Sequence, residues 1–256
     1  MSAPDRPALA PHPPLPEYYG APENRTAFVR GLFDRTARHY DGVNALLSLG
    51  SGRWYRRNAL RRAGLGPGMR MLDVATGTGL LAREALRIIG AGGTLVGVDP
   101  SEGMLAEWRR SLGSGPTLLR GTAEALPVAD ASFDFVALGY ALRHIPDVGA
   151  AFREFHRVLR PGGRVLVLEK VRPRSRVTHG LAKAWFGSVV PALSRFSRGG
   201  NGPEMRVLMR YYWDTVEHCI APEVILDALR AAGFEAVGCD RQLDLFGAYG
   251  GGKRSG

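Results

Sequence analysis

Cysteine, lysine and long apolar runs are scarce in this chain. Only two cysteines occur in 256 residues, Cys219 and Cys239. Their spacing matches no metal-binding or redox pair, so no metal is expected and a reduced, cytoplasmic compartment fits best. No apolar run reaches the roughly 18 residues of a membrane span. The N-terminus lacks a basic segment followed by an apolar one, which argues against secretion. Lysine supplies 3 of the 34 basic residues and arginine the other 31, for a net charge of +10. The arginines are scattered from Arg6 to Arg254, so the charge reads as a compositional habit and nucleic acid is not expected as a partner. A peripheral attraction to anionic lipid at the inner membrane face is the stronger expectation.

Residues 1–24 hold seven prolines and almost no periodic apolar pattern. They read as a disordered or polyproline-like lead. From residue 25 to 249 the pattern is that of one folded domain. Phe28, Val29, Leu32, Phe33, Ala37 and Tyr40 recur at helical spacing, and Asp41-Gly42 is expected to end that helix. A second helix around Trp54 to Ala63 follows, so residues 25–66 form a helical cap ahead of the first strand. Gly64 to Gly68 is a turn.

The organising stretch is Met69 to Leu80, M-R-M-L-D-V-A-T-G-T-G-L. An apolar run breaks into Gly77-Thr78-Gly79, and helical spacing resumes at once. Strand, glycine turn and helix form the unit by which an open α/β sheet holds a nucleotide-like ligand. Further strands are expected at Thr94 to Val98, Thr117 to Arg120, Phe133 to Leu138 and Arg164 to Leu168, with helices between them. This rhythm argues for a mostly parallel, doubly wound sheet. Residues 170–221 break the rhythm and read as a helical insertion that lids a pocket or packs on the sheet. Within it, Leu181, Trp185, Val189 and Leu193 suggest one helix, Gly199 to Pro203 a break, and Met205 to Ile220 another. A helix over Ala221 to Ala232 and two last strands, Glu235 to Cys239 and Gln242 to Ala248, complete the domain. Residues 250–256 are expected to be a loose tail.

Gly77-x-Gly79-x-x-Ala82 with Asp99 about twenty residues on also satisfies the dinucleotide fingerprint. Asp73 separates the two readings. A carboxylate four residues before Gly77 suits a ligand carrying an ammonium group, whereas beside a pyrophosphate it would add repulsion. The loop G-T-A-E-A-L-P, Gly121 to Pro127, adds Thr122, Ala123 and Glu124 beside an adenine-sized slot.

D-V-A-T-G-T-G, V-D-P-S-E-G-M-L, G-T-A-E-A-L-P and R-V-L-R-P-G-G-R-V-L-V-L-E together resemble a class I S-adenosylmethionine (SAM) dependent methyltransferase. The match is specifically similar to the ubiquinone/menaquinone C-methyltransferase family and runs from about Val29 through Phe234. The resemblance implies a Rossmann-like methyltransferase sheet with one antiparallel strand near the C-terminus. It also implies SAM as cofactor, held by Asp73, Thr76, Gly77, Thr78, Gly79, Asp99, Pro100, Met104, Thr122, Ala123, Glu124 and Gly139. Asp99 would accept both ribose hydroxyls. For the acceptor it implies Arg143, with Tyr40 and Asp41 of the cap; His144, which titrates near neutrality, is a further base. The plainer readings are a salt bridge for Arg143 and helix termination for Tyr40-Asp41. The chain leaves the family's pattern at Val43, Gly52 and His144, and at the end of strand five, where the family's E-x-S is replaced by Glu169-Lys170-Val171. Transfer to a hydrophobic, quinol-like ring carbon is therefore expected first. Transfer to O or N of a polyketide, phenol or lipid amine is the alternative, and an NAD-binding oxidoreductase a more distant one. A homodimer is left open.

Overall fold

A computed structural model describes residues 7–48, 50–113, 115–189 and 203–256. In chain order the elements are α1 (Pro16–Tyr19), α2 (Arg25–Leu47), α3 (Gly52–Arg62), β1 (Arg70–Val74), α4 (Leu80–Ile89), β2 (Thr94–Asp99) and α5 (Glu102–Leu112). There follow β3 (Thr117–Arg120), β4 (Phe133–Gly139), α6 (Val148–Val158), β5 (Leu159–Lys170) and α7 (Arg176–Ala184). The chain ends with α8 (Pro203–Glu217), α9 (Pro222–Ala231), β6 (Phe234–Gln242) and β7 (Phe246–Lys253).

The seven strands form one sheet in the order β3-β2-β1-β4-β5-β7-β6. Only β7 runs against its neighbours, pairing antiparallel with both β5 and β6. The central strands are apolar on both faces because helices cover both. Met71, Phe135 and Leu166 face Ala82 and Ala85 of α4 and Trp108 of α5. Leu72, Val136 and Val167 face the other way, onto Phe152 and Phe155 of α6 and Ile225 and Leu229 of α9. Each such fully buried side chain contributes about 1.5–3 kcal/mol. Chain order reverses between β1 and β4, and a crevice opens there at the carboxyl ends of the strands.

Several expectations need correction. The lead is not a loose tail: from Pro7 on it is part of the fold. Leu9 exchanges hydrogen bonds with the start of α6, its N–H donating to Asp147 Oδ1 (3.2 Å) and its carbonyl accepting from Val148 (3.0 Å). Leu15 and Tyr19 are buried with Leu32, Met205 and Tyr211. Prolines hold this segment extended at small entropic cost, so it packs without helical or strand periodicity. Helix α2 does not stop at Asp41-Gly42 but continues to Leu47. A glycine inside a helix costs only about 1 kcal/mol, and burial of Val43 offsets it. The presumed tail belongs to β7. Gly250, Gly251 and Gly252 pair with Leu166, Val165 and Arg164, so backbone ladders on two sides order a segment with no side chains to pack. The hairpin before it turns at Leu243 and Asp244, both with positive φ, rather than at a glycine signal. The Arg160–Gly163 turn lies within β5 as an irregularity between the Phe133 and Phe135 pairings. Leu193 and Gly199 to Gly202 lie outside the described residues. No helix among those described is long and apolar enough to cross a membrane.

Candidate functional site

The crevice holds a cleft of about 570 Å³. Its floor is made by strand ends. Asp99 closes β2, and the loops beyond it bring Pro100, Met104, Thr122, Ala123 and Glu124 to the wall. Gly139 closes β4. A Cβ there would lie 3.2 Å from Leu81, so the glycine keeps the floor low. Asp99 is fixed by two donors, the Gly77 N–H to Oδ2 (2.8 Å) and the Ser101 N–H to Oδ1 (2.9 Å). The same carboxylate thus ties the glycine turn to the next strand. An adjoining cavity of about 40 Å³ is lined by Asp73, Thr76, Gly77 and Thr78. There Asp73 Oδ2 accepts from Thr76 Oγ1 (2.6 Å), which in turn accepts from Trp108 Nε1 (3.1 Å). Gly79 does not line either space. It caps α4 with φ +85, and a Cβ would meet Leu112 at 2.6 Å, so its role is close packing.

Helix α2 roofs the cleft with one face, Thr26, Val29, Arg30, Phe33 and Tyr40. It is pinned where Asp34 Oδ1 accepts from Ser101 Oγ (2.6 Å) and Gly103 N–H (2.9 Å). Gly103 permits this approach, since a Cβ would stand 2.7 Å from the Asp34 carbonyl oxygen. Asp41 accepts from Thr78 Oγ1 (2.5 Å), latching the far end of the helix onto the glycine turn. Asp41 is thereby drawn to the turn instead of ending the helix.

Of the residues expected near the acceptor, Tyr40 and His144 line the cleft. Arg143 does not. Its guanidinium is buried in an ion pair with Glu169, donates to the Tyr140 carbonyl (3.1 Å) and lies 4.5 Å from the Tyr212 ring. The salt-bridge reading of Arg143 is the one this geometry supports. His144 sits between Phe33 and Tyr211. Burial and the cations Arg143 and Arg25 hold it well below the ordinary imidazole range, so it is neutral and does not titrate near neutrality as expected. Burial raises the Tyr40 phenol, which therefore stays protonated. Two residues that sequence reasoning missed are Ala75 and Tyr140, which directly follow β1 and β4 with φ of 51° and 61°. Non-glycine residues in that region cost of order 1–3 kcal/mol and mark sites where geometry is imposed. Tyr140 lines the cleft, and its following-glycine position gave no sequence signal.

Both buried carboxylates are pushed up by desolvation, Asp73 to about 7 and Asp99 to about 6. A ligand that needs both ionised must expel protons at neutral pH. Binding of S-adenosylhomocysteine should therefore weaken as pH falls from 8 to about 5.5, with proton release seen by calorimetry in buffers of differing ionisation enthalpy. The free protein should show the opposite trend. Both folded values lie above the unfolded value of about 3.9, so these groups destabilise the fold above about pH 7 and that penalty fades as pH falls through 7 and 6. Affinity independent of pH over this window would remove Asp73 from the ligand site.

The donor set fits S-adenosylmethionine. Asp99 at the end of β2 could take a ribose diol, the apolar slot by Met104 and Ala123 a purine, and Asp73 an ammonium. On this sheet, with its antiparallel β7, the site defines a SAM-dependent methyltransferase. Solved structures agree on the fold. A SAM-dependent methyltransferase of Thermotoga maritima superposes with TM-score 0.60 at 22% identity, covering 88% of this chain and 99% of that one. Phosphoethanolamine N-methyltransferase 2 of Haemonchus contortus, with S-adenosylhomocysteine bound, gives 0.62 at 18% identity over 88% of this chain and 60% of that one. More particularly, the chain belongs to the ubiE/COQ5 methyltransferase family, which it matches over residues 20–243. It is 33% identical over 233 residues to a demethylmenaquinone methyltransferase of Symbiobacterium thermophilum, covering 89% of this chain and 92% of that protein. It is 39% identical over 170 residues to the ubiquinone/menaquinone biosynthesis C-methyltransferase UbiE of Geobacter sulfurreducens, covering 64% and 66%.

Proposed function

We propose that this enzyme methylates a ring carbon of a hydrophobic, hydroxyl-bearing aromatic acceptor of the quinol class. The observation that carries the reading is the aromatic and apolar lining, Val29, Phe33 and Tyr40 of the roof with Tyr140 after β4, around a cleft whose floor holds Asp99. The names of the relatives, methyltransferases of menaquinone and ubiquinone biosynthesis, support the same class.

The bound cofactor supplies an electrophilic methyl on a sulfonium. The protein's task is alignment, which can supply about 7–11 kcal/mol of the barrier. Asp99 holds the ribose end, and Thr122, Ala123 and Glu124 flank the base. Asp73, with Thr76 and the Gly77–Thr78 turn, holds the amino-acid end. Tyr40 and Tyr140 stand where these two spaces meet, both lining the large cleft and the smaller cavity, and together position the acceptor ring. Protonated Tyr40 donates a hydrogen bond, and neutral His144 gives a polar edge without a charge. Arg143 acts from behind, holding the Tyr140 carbonyl and the loop after β4 through its pair with Glu169. The exposed Trp54 and Leu243, together with the cationic surface, support recruitment of such an acceptor from a membrane face.

The deciding experiment transfers labelled methyl from SAM into lipid and soluble extracts of a strain lacking the protein. Label in an aromatic lipid, stable to ester and ether cleavage, is the expected result. Label confined to an amine or a water-soluble acceptor would overturn the reading.

A further inference from the structure

A second, smaller chamber opens beside the site. It has a volume of about 150 Å³, and among its walls are Tyr40, Tyr55, Tyr140, Tyr212 and Phe246. Tyr40 and Tyr140 line this chamber and both cofactor-side spaces, and Asn44 and Arg56 line it together with the smaller of the two, so the chamber adjoins the cofactor side. Exposed Trp54 and Leu243 stand at its rim, 68% and 82% accessible. One buried lysine reaches it. Lys170 ends β5, is 6% accessible, and holds its Nζ 4.4 Å from the Phe186 ring, 4.8 Å from Tyr212 and 5.6 Å from Phe246. Among the described residues its Nζ has no carboxylate within ion-pair distance. The adjacent Glu169 is committed to Arg143.

A buried amine without a counter-ion has few structural explanations, and the chamber supplies a chemical one. Its volume is that of a single six-membered ring; a cavity near 150 Å³ holds benzene. We propose that the acceptor's hydroxyl-bearing ring enters this chamber and that Lys170 is the general base that takes the hydroxyl proton. The proposal rests on the reading of the acceptor given above. The O–H bond breaks and its proton passes to Nζ, and the electron pair is delocalised onto the ring carbon beside the oxygen. That carbon bonds the methyl as the methyl–sulfur bond breaks, its electron pair staying on sulfur. The ring C–H proton then leaves to solvent while Nζ returns its proton to the oxygen, so one proton is released per turnover. An apolar substituent on the ring leaves past Trp54 and Leu243.

The surroundings suit a base. Burial, Arg143 from the loop after β4 and Arg56 from α3 push the Lys170 amine well below its ordinary value, with Glu169 opposing. The phenols of Tyr40 on α2, Tyr140 and Tyr212 on α8 are themselves raised by burial, so they do not compete for the role. Once protonated, the ammonium faces three aromatic rings and the new oxyanion.

The test uses 4-nitrophenol, a single ring whose phenolate is coloured, with the full-length protein and S-adenosylhomocysteine. At about pH 6 the wild type should bind it as the phenolate. Lys170→Met should abolish that colour while S-adenosylhomocysteine affinity stays unchanged, which confirms the fold. With the true acceptor, Lys170→Met should lower kcat/KM about 100-fold or more, and the acidic limb of the wild-type pH profile should disappear. Phenolate binding by Lys170→Met, absence of 4-nitrophenol binding by the wild type, or an unchanged pH profile would each overturn the proposal. Failure of wild-type methyl transfer to any aromatic acceptor would instead overturn the reading of the acceptor, because the nitrophenol spectrum reports Lys170 independently.

Discussion

Glu169→Gln should cost the protein about 3–5 kcal/mol of stability, and that loss should not be recovered at any pH between 5 and 9. Glu169 faces three buried groups. It pairs with the Arg143 guanidinium, accepts the Arg143 N–H at 3.3 Å and accepts the Lys170 N–H at 2.8 Å. An amide of the same shape keeps hydrogen-bond geometry but removes the charge. The guanidinium left behind cannot shed its proton to escape. Arg143→Met is the informative contrast. It should cost a similar amount at pH 8, because it leaves a buried carboxylate, but Glu169 can then take a proton. A buried carboxylate without its cation is favoured in the neutral form, so the destabilisation fades as pH falls. Urea titrations of both variants at pH 5.5 and 8 read the difference. Against a typical total of 5–15 kcal/mol, either loss is large enough to measure without ambiguity. A loss below about 1 kcal/mol in Glu169→Gln would mean that the pair is solvated and that the loop after β4 is held by something else.

The frame of this molecule was legible because both faces of its central strands are covered. That burial writes itself as short apolar runs, and the intervening helices as periodic ones, so β1 to β4 fall where their runs lie. What was illegible depends on contacts without periodicity. Leu9, Leu15 and Tyr19 each fill a separate place between prolines, and no spacing announces that. Gly250 to Gly252 are ordered by backbone ladders on both sides, while their composition reads as a tail. At the site, Asp73 stands four residues before Gly77 in the same strand–turn unit, whereas Asp99 reaches that glycine from 22 positions away and stood out as the carboxylate ending the next apolar run. Arg143 was found as a residue but not as a partner, since Glu169 lies 26 positions away in sequence. Gly52 was visible only as a departure from a pattern, and Lys170 only as the residue between Glu169 and Val171. The fold brings both to one chamber, which no one-dimensional reading places beside Tyr40.

Asp99→Ala should weaken S-adenosylhomocysteine binding by at least about 100-fold. Two charge-assisted hydrogen bonds to a vicinal diol are worth about 1.5–3 kcal/mol each, and about 1.4 kcal/mol is a factor of ten. The same carboxylate also accepts from Gly77 N–H and Ser101 N–H, so a second cost falls on the glycine turn itself. These two causes separate by changing the ligand. The 2′-deoxy analogue of S-adenosylhomocysteine lacks one of the hydroxyls. If Asp99 reads the diol, the wild type should bind the analogue at least about tenfold more weakly, and Asp99→Ala should bind both alike. If Asp99 only braces the turn, the analogue should lose the same factor in both proteins. Asp99→Asn sharpens the distinction further. Its amide keeps one acceptor for the backbone but turns a donor toward one of the two N–H groups, so the turn must give up a hydrogen bond even where the ligand does not. Calorimetry of three proteins against two ligands therefore assigns to this carboxylate its share in binding and its share in holding the loop on which binding depends.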